Sequence, residues 1–152
     1  MAIAIKQGDI FESGADILVN PVNCKGAMGA GLALEFKKRF PDMYNYYKGQ
    51  CNEKIINMGR TYFYPTKNQN VTIVLFPTKY NWADDSKIEW ISESLDDMVR
   101  KLRSYQGKRI AIPALGCGLG GLKWQKVEPL MLQRLRPVTK VMDILIYKPK
   151  ED

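Results

Sequence analysis

Histidine is missing from this chain of 152 residues. Its absence removes the Ser-His-Asp triad, the Cys–His pair, imidazole general-base catalysis and histidine-based metal sites. Chemistry therefore falls to lysine, carboxylates, tyrosine, cysteine, asparagine, the backbone or water. Cysteine is scarce too. Cys24, Cys51 and Cys117 are odd in number and form no CxxC pair, which reads as reduced thiols in a cytosolic protein rather than a disulfide framework. No apolar run approaches the roughly 18 residues that cross a bilayer. The opening Met1-Ala2-Ile3-Ala4-Ile5-Lys6 reads as a short strand and lacks the basic-then-apolar layout of a signal peptide. No internal repeat, low-complexity tract or linker interrupts the chain. These absences give the expectation of a cytoplasmic protein with no membrane partner, no metal and no cofactor.

What is present is ordinary globular material, 45% hydrophobic and 26% charged. The length fits one domain, able to bury about 70% of its unfolded surface without a staple. That domain is expected over residues 1–148, with 149–152 as a frayed tail, and a monomer is expected because no second apolar face stands out. The net charge of +7 suits a polyanion such as nucleic acid, a small anionic ligand, or simply a solvated surface. Lys37-Lys38-Arg39 and Lys108-Arg109 are too short for a basic tract, and the first falls late in a helix, where cations are favoured.

Short apolar or β-branched runs predict strands at about 2–6, 16–19, 60–64, 71–76, 109–112 and 141–147. Helices are predicted near 29–39, 42–51, 86–104 and 124–135. In the third, Ile88, Ile91, Leu95, Met98 and Leu102 share one face, with Ser86 as the expected N-cap and Glu89 as its capping-box partner. Asp42 is expected to cap the second. Strands alternating with helices imply a largely parallel sheet covered on both faces, with ligand at the strand C-terminal ends.

Two glycine loops sit at such ends. Asn23-Cys24-Lys25-Gly26-Ala27-Met28-Gly29-Ala30-Gly31 follows Ile17-Leu18-Val19, and Gly116-Cys117-Gly118-Leu119-Gly120-Gly121 follows Ile110-Ala111-Ile112-Pro113-Ala114-Leu115. Glycine lets backbone approach a ligand, and exposed N–H groups at a helix start attract phosphate oxygens. Two such loops in one small domain suggest a diphosphate held from both sides. Gly116, Gly118 and Gly121 also spell GxGxxG, with Asp143 about 20 residues on, as a dinucleotide fold wants. Only one strand follows that loop, so the mononucleotide-binding half that should grow from it is missing.

Gly8-Asp9-Ile10, Val19-Asn20-Pro21-Val22-Asn23, the Gly26–Gly31 loop and Ile112-Pro113-Ala114-Leu115-Gly116-Cys117-Gly118, in that order from about residue 3 to 147, resemble a macrodomain. The resemblance implies a three-layer α/β/α fold around a mixed, largely parallel sheet of about six strands, and ADP-ribose as ligand. Phe36-Lys37-Lys38-Arg39-Phe40-Pro41 and Phe76-Pro77-Thr78-Lys79-Tyr80-Asn81-Trp82 look like the DarG-type antitoxin branch, related to the terminal ADP-ribose protein glycohydrolases. That branch implies removal of ADP-ribose from DNA or protein, and an ADP-ribosyltransferase toxin as partner.

Residue by residue, the resemblance assigns Asp9 to the adenine amino group and the Ile10 backbone to the ring. A strand-ending turn is the other reading of Asp9. Asn23 would bond the distal ribose hydroxyls, which suits an amide, or form an Asx turn that holds the loop. Asn20 is expected to brace that loop. Gly26, Met28, Gly29 and Gly31 would wrap ribose and diphosphate, and Gly116, Cys117, Gly118, Leu119 and Gly120 would offer N–H groups to phosphate. Cys117 as nucleophile would need a base the sequence does not supply. Tyr147 would stack on adenine, or serve as a half-buried strand aromatic.

Lys79 is the expected catalytic residue, acting at the anomeric carbon of the distal ribose; a counter-ion role is the alternative. A free lysine, with a pKa of about 10.4, is protonated at neutral pH, so such a site must lower it by desolvation or by nearby positive charge from Lys25 or Lys87. The protein-directed glycohydrolases carry an aspartate in the second loop, where this chain has Gly118-Leu119-Gly120-Gly121. The departure favours the DNA-directed reaction and leaves Asp84, Asp85, Glu35 or a water as acid–base candidates. Three functions stay open: an ADP-ribosyl glycohydrolase, a non-catalytic ADP-ribose reader, and an ADP-ribose 1''-phosphate phosphatase.

Overall fold

A computed structural model describes residues 2–150. Six strands, β1 (Ile3–Lys6), β2 (Ile17–Asn23), β3 (Tyr62–Pro65), β4 (Thr72–Lys79), β5 (Arg109–Pro113) and β6 (Asp143–Tyr147), form one sheet in the order β1-β6-β5-β2-β4-β3. All neighbours are parallel except β3 and β4. Helices α1 (Gly31–Arg39) and α2 (Pro41–Asn52) cover one face, and α3 (Ile88–Leu102) and α4 (Trp124–Leu135) the other. This is the mixed, largely parallel three-layer α/β/α architecture expected from the sequence. Of the tail expected at 149–152, Glu151 and Asp152 lie outside the described residues.

The period-two alternation of each strand explains the layers. In β4, Val74 and Phe76 join the α3–α4 core, while Ile73 and Leu75 join the α1–α2 core. In β2, Ile17 and Val19 take the first side, and Leu18 and Val22 the second. The two cores bury apolar chains at roughly 25 cal/mol per Å² removed from water, and both meet at one sheet.

Two strands outrun their sequence signal. β2 continues through Pro21 to Asn23, and β4 through Pro77 to Lys79. Proline usually argues against a central strand because it cannot donate to the ladder. β2 pairs with β5 only at Ile17 and Leu18, so from Val19 onward one edge of β2 has no ladder for Pro21 to break. The same parting opens a crevice between β2 and β5. It lies where the order reverses, because α3 carries the chain from β4 over β2 to β5; ligands of open α/β sheets bind in such crevices.

Both expected helix caps are corrected. Ser86 does not cap α3: Lys87 holds the N-cap position with no side-chain bond. Ser86 instead donates its N–H to the Gly120 carbonyl at 2.8 Å, which draws it under the second glycine loop. Asp42 does not cap α2, because Pro41, with its preset φ, takes the first helical position and Phe40 the cap. The Asp42 carboxylate accepts from the Tyr64 hydroxyl at 3.0 Å and the Lys67 N–H at 3.2 Å, tying α2 to β3. Gly29 and Ala30, expected in the first helix, remain in the loop that precedes it.

Candidate functional site

The C-terminal ends of the five parallel strands share one edge of the sheet, and the expected site residues gather there. Asp9 follows β1 and caps a short 3₁₀ turn at Ile10–Glu12, its Oδ1 accepting the Phe11 N–H at 2.9 Å. Asp9 is exposed, and Ile10 is buried in the α1–α2 core. Tyr147 ends β6 on the same side. Burial pushes its phenol above the ordinary value, and the nearby Asp9 charge adds to this. Asp9, Ile10 and Tyr147 thus form one end of the site. The turn and the half-buried strand aromatic, the plainer readings of Asp9 and Tyr147, both describe the geometry.

Asn23 and Lys79 form the other end. They are register partners across β2 and β4, after a bulge between Val22 and Asn23. Thr78 is the extra residue, buried, with its hydroxyl donating to the Val22 carbonyl at 3.4 Å. Bulges re-aim side chains beside functional sites, and this one sets Lys79 next to the loop that Asn23 begins. Lys79 is half-buried, and among the described residues no carboxylate lies within ion-pair distance of its amine. From β6 through β5 and β2 to β4 there are three strand spacings, roughly 14 Å, so one ligand reaching both ends must be long and two-headed.

The first loop is built around the Asn23 amide. Its Oδ1 accepts the Lys25 N–H at 2.9 Å and the Ala27 N–H at 3.4 Å, and its Nδ2 donates to the Ala27 carbonyl at 2.8 Å. The Tyr47 hydroxyl, fully buried in α2, lies 2.8 Å from the Asn23 carbonyl and 2.9 Å from Oδ1. The Asx reading of Asn23 is therefore realised in the fold. Asn20, the expected brace, reaches the loop only through sulfur: its Nδ2 is 3.8 Å from Met28 Sδ and 3.9 Å from Met43 Sδ, and its Oδ1 has no protein partner. Gly26 and Met28 are buried; Gly29 and Gly31 are exposed. Because Ala30 at the N-cap of α1 makes no side-chain hydrogen bond, the first N–H groups of that nine-residue helix have no capping partner among the described residues.

The second loop is shaped by Gly116 and Gly118. Gly116 has φ +74°, and a Cβ there would meet Leu122 Cδ1 at 2.6 Å. Gly118 has φ +67° with nothing within 4 Å of a Cβ, so its face is open. Cys117 and Gly120 spend their N–H groups on the Ala114 and Cys117 carbonyls, leaving those of Gly116, Gly118 and Leu119 without a backbone partner among the described residues. Leu119 leans across to the first loop, its Cδ1 3.3 Å from a Cβ built on Gly31. Burial pushes the Cys117 thiol up to about 11, so it is neutral at physiological pH and unsuited to nucleophilic attack.

The acid–base candidates divide. Glu35 lies 3.9 Å from Arg39 on the exposed side of α1. Asp84 accepts the Asn81 N–H at 3.0 Å. Asp85 stands beside the second loop, its Oδ1 3.4 Å from a Cβ built on Gly121. Of the two expected auxiliary charges, Lys87 lies over the Trp90 ring at 5.2 Å, and Lys25 is near enough to Cys24 and Cys51 to oppose the rise that burial imposes on their thiols. Tyr47 and Thr78 were not anticipated. The Met43, Tyr47, Cys51 spacing on one face of α2 carried a signal for the first; nothing local marked the second.

A sheet of this order, with glycine loops after its second and fifth strands, is a macrodomain architecture. The Macro domain family profile matches residues 19–131, and the chain belongs to that family. It is 36% identical over 149 residues, 97% of its length, to the DNA ADP-ribosyl glycohydrolase of Mycobacterium tuberculosis, of which it spans 42%. The solved macrodomain of Mycobacterium tuberculosis DarG superposes with a TM-score of 0.92 at 35% identity, covering 98% of this chain and 99% of that one. Thermosipho africanus DarTG, solved in complex with ADP-ribose, gives a TM-score of 0.88 at 36% identity over 99% of this chain and 42% of that one.

Proposed function

We propose that the protein is an ADP-ribosyl glycohydrolase that releases ADP-ribose from modified DNA. The observation that carries this reading is the bulge-set pairing of Asn23 with Lys79 at the mouth of two glycine loops. Adenine lies at Asp9, Ile10 and Tyr147. The diphosphate takes the N–H groups of Gly118, Leu119 and the start of α1, while Gly26, Met28, Gly29, Gly31, Gly116, Cys117 and Gly120 give the loops their close approach. Asn23 keeps the first loop in shape and offers its second amide hydrogen to the distal ribose. Lys79 acts at the anomeric carbon of that ribose, where the bond to the base breaks and water supplies the hydroxyl. Asp85, beside the second loop, is the carboxylate best placed to handle the proton. Support for DNA as substrate comes from the names of the relatives and from the absence of a carboxylate at Gly120. The same reading places the protein in the cytoplasm as a monomer, opposing an ADP-ribosyltransferase partner.

The test is release of ADP-ribose from single-stranded DNA carrying ADP-ribosylated thymidine. Wild type is expected to turn over. Lys79→Ala is expected to lose at least a hundredfold in rate, within the range of acid–base and nucleophilic contributions, while keeping ADP-ribose affinity. Tight binding with no release from DNA or protein would instead make the domain a reader, and phosphate release from ADP-ribose 1''-phosphate would make it a phosphatase.

A further inference from the structure

Between β4 and α3 the chain crosses the site as a strap tied to both glycine loops. The Tyr80 carbonyl accepts the Cys24 N–H at 2.9 Å, and the Ser86 N–H donates to the Gly120 carbonyl at 2.8 Å. At its middle, Asn81 to Asp84 close a turn: the Asp84 N–H meets the Asn81 carbonyl at 3.1 Å, and the Asp84 carboxylate accepts the Asn81 N–H at 3.0 Å. Trp82 occupies the corner of that turn and is 70% exposed. A side chain able to bury 150–250 Å² is thus held in water by a turn bonded from two sides. Polar residues serve a turn corner equally well, so the turn itself gives no reason for an indole.

The surroundings suit an aromatic anion-bearing partner. Tyr80 is 45% exposed and meets Trp90 edge-on at 5.4 Å. Lys79 stands at the root of the strap, Lys87 follows it, and Lys25 is exposed on the adjoining loop. Of the two strap carboxylates, Asp84 is occupied by the turn and Asp85, though exposed, stands against the second glycine loop at Gly121, so three lysines face two acids. The molecule as a whole carries +7, favouring a polyanion.

We propose that Trp82 is a stacking platform for a base next to the modified nucleotide, making the domain selective for ADP-ribose attached within single-stranded DNA over the same adduct on a free nucleoside. Every base has a π-face, so such a platform needs no sequence, and it needs the flanking base unpaired. Duplex DNA would hide that face, and a modified protein would lack it. The proposal rests on the glycohydrolase reading.

The experiment compares kcat/KM for one modified thymidine as a nucleoside and in the middle of a short single-stranded oligonucleotide. Wild type is expected to prefer the oligonucleotide. Trp82→Ala is expected to lose about tenfold on the oligonucleotide, the size of one lost stacking contact, with nucleoside turnover unchanged, and Trp82→Phe is expected to recover most of it. No preference in wild type, equal losses on both substrates, or an unchanged preference in Trp82→Ala overturns the platform. Affinities for the modified oligonucleotide and free ADP-ribose, measured in a Lys79→Ala background, keep the two readings apart. A Trp82-dependent gain in affinity without turnover in wild type removes the hydrolase and leaves the platform standing. Turnover without that gain does the reverse.

Discussion

At Gly116 a methyl group meets two obstacles at once. Its φ of +74° is one that L side chains rarely adopt, and the added carbon would lie 2.6 Å from Leu122 Cδ1 and 3.2 Å from Ile91 Cδ1. Gly118, at φ +67°, has open space instead. Gly116→Ala is therefore expected to cost about 2–4 kcal/mol in urea unfolding, from backbone strain and overpacking together. Gly118→Ala is expected to cost only about 1 kcal/mol, while weakening ADP-ribose binding by calorimetry, because the new methyl group occupies the face left open for the diphosphate. On the proposed function, two glycines of one loop divide between fold and ligand.

Between elements, two buried polar side chains tie the structure together. The Tyr47 hydroxyl links α2 to Asn23, and Tyr47→Phe removes that link without changing the ring. Thermal unfolding is expected to register a loss of about 1–2 kcal/mol, with weaker ADP-ribose affinity as the first loop loosens. Asp97 links α3 to Thr61, the residue before β3: its Oδ2 accepts the Thr61 N–H and hydroxyl, both at 2.7 Å, and pairs with Lys101 at 2.9 Å. Burial pushes this carboxyl up, but Lys101 and the two Thr61 donors together outweigh burial and hold it below the usual carboxylate range. Since the folded value lies below the unfolded one near 3.9, its stabilisation is complete at neutral pH and is lost as pH falls through the folded value. Asp97→Ala is expected to be about 2–4 kcal/mol less stable at pH 7, with buried Thr61 donors left unpaired. The gap to wild type is expected to narrow in unfolding curves taken near pH 3.

The elements differ in how plainly the chain announced them. Alternation in Ile73-Val74-Leu75-Phe76 and the i, i+3, i+4 face of α3 are statements about which side is buried, and a sequence carries those directly. The last residues of β2 and β4 were hidden because Pro21 and Pro77 look like strand breakers, and only the lateral parting of β2 from β5 makes Pro21 harmless. Cap assignments failed for two reasons: the Asp42 carboxylate went to Tyr64 and Lys67, while the Ser86 backbone N–H is held by Gly120 and its hydroxyl, buried beneath the second loop, makes no hydrogen bond among the described residues. The glycine loops and Lys79 were legible as motifs. That Asn23 partners Lys79 depends on a bulge no local pattern marks.

For the whole molecule, the prediction concerns ligand linkage. A molecule that binds only the folded state stabilises it by about 2.7 kcal/mol at 100 times its Kd. In a domain of this size that is a rise of roughly 5–10 °C in Tm. Saturating ADP-ribose is expected to give such a shift, and adenosine diphosphate alone a smaller one, since it leaves the Lys79 end of the site unfilled. No shift with ADP-ribose would remove the ligand assignment and every step built on it.

The edge strand β1 bonds to one neighbour, β6. On the ribosome this means that the first strand of the domain waits for its last. Roughly 140 residues separate them, which at about 5–20 residues per second is a delay of about 7–28 s. Until β6 emerges, Ile3 and Ile5 have no ladder to join, and the nascent chain carries an unpaired apolar segment that a chaperone can hold.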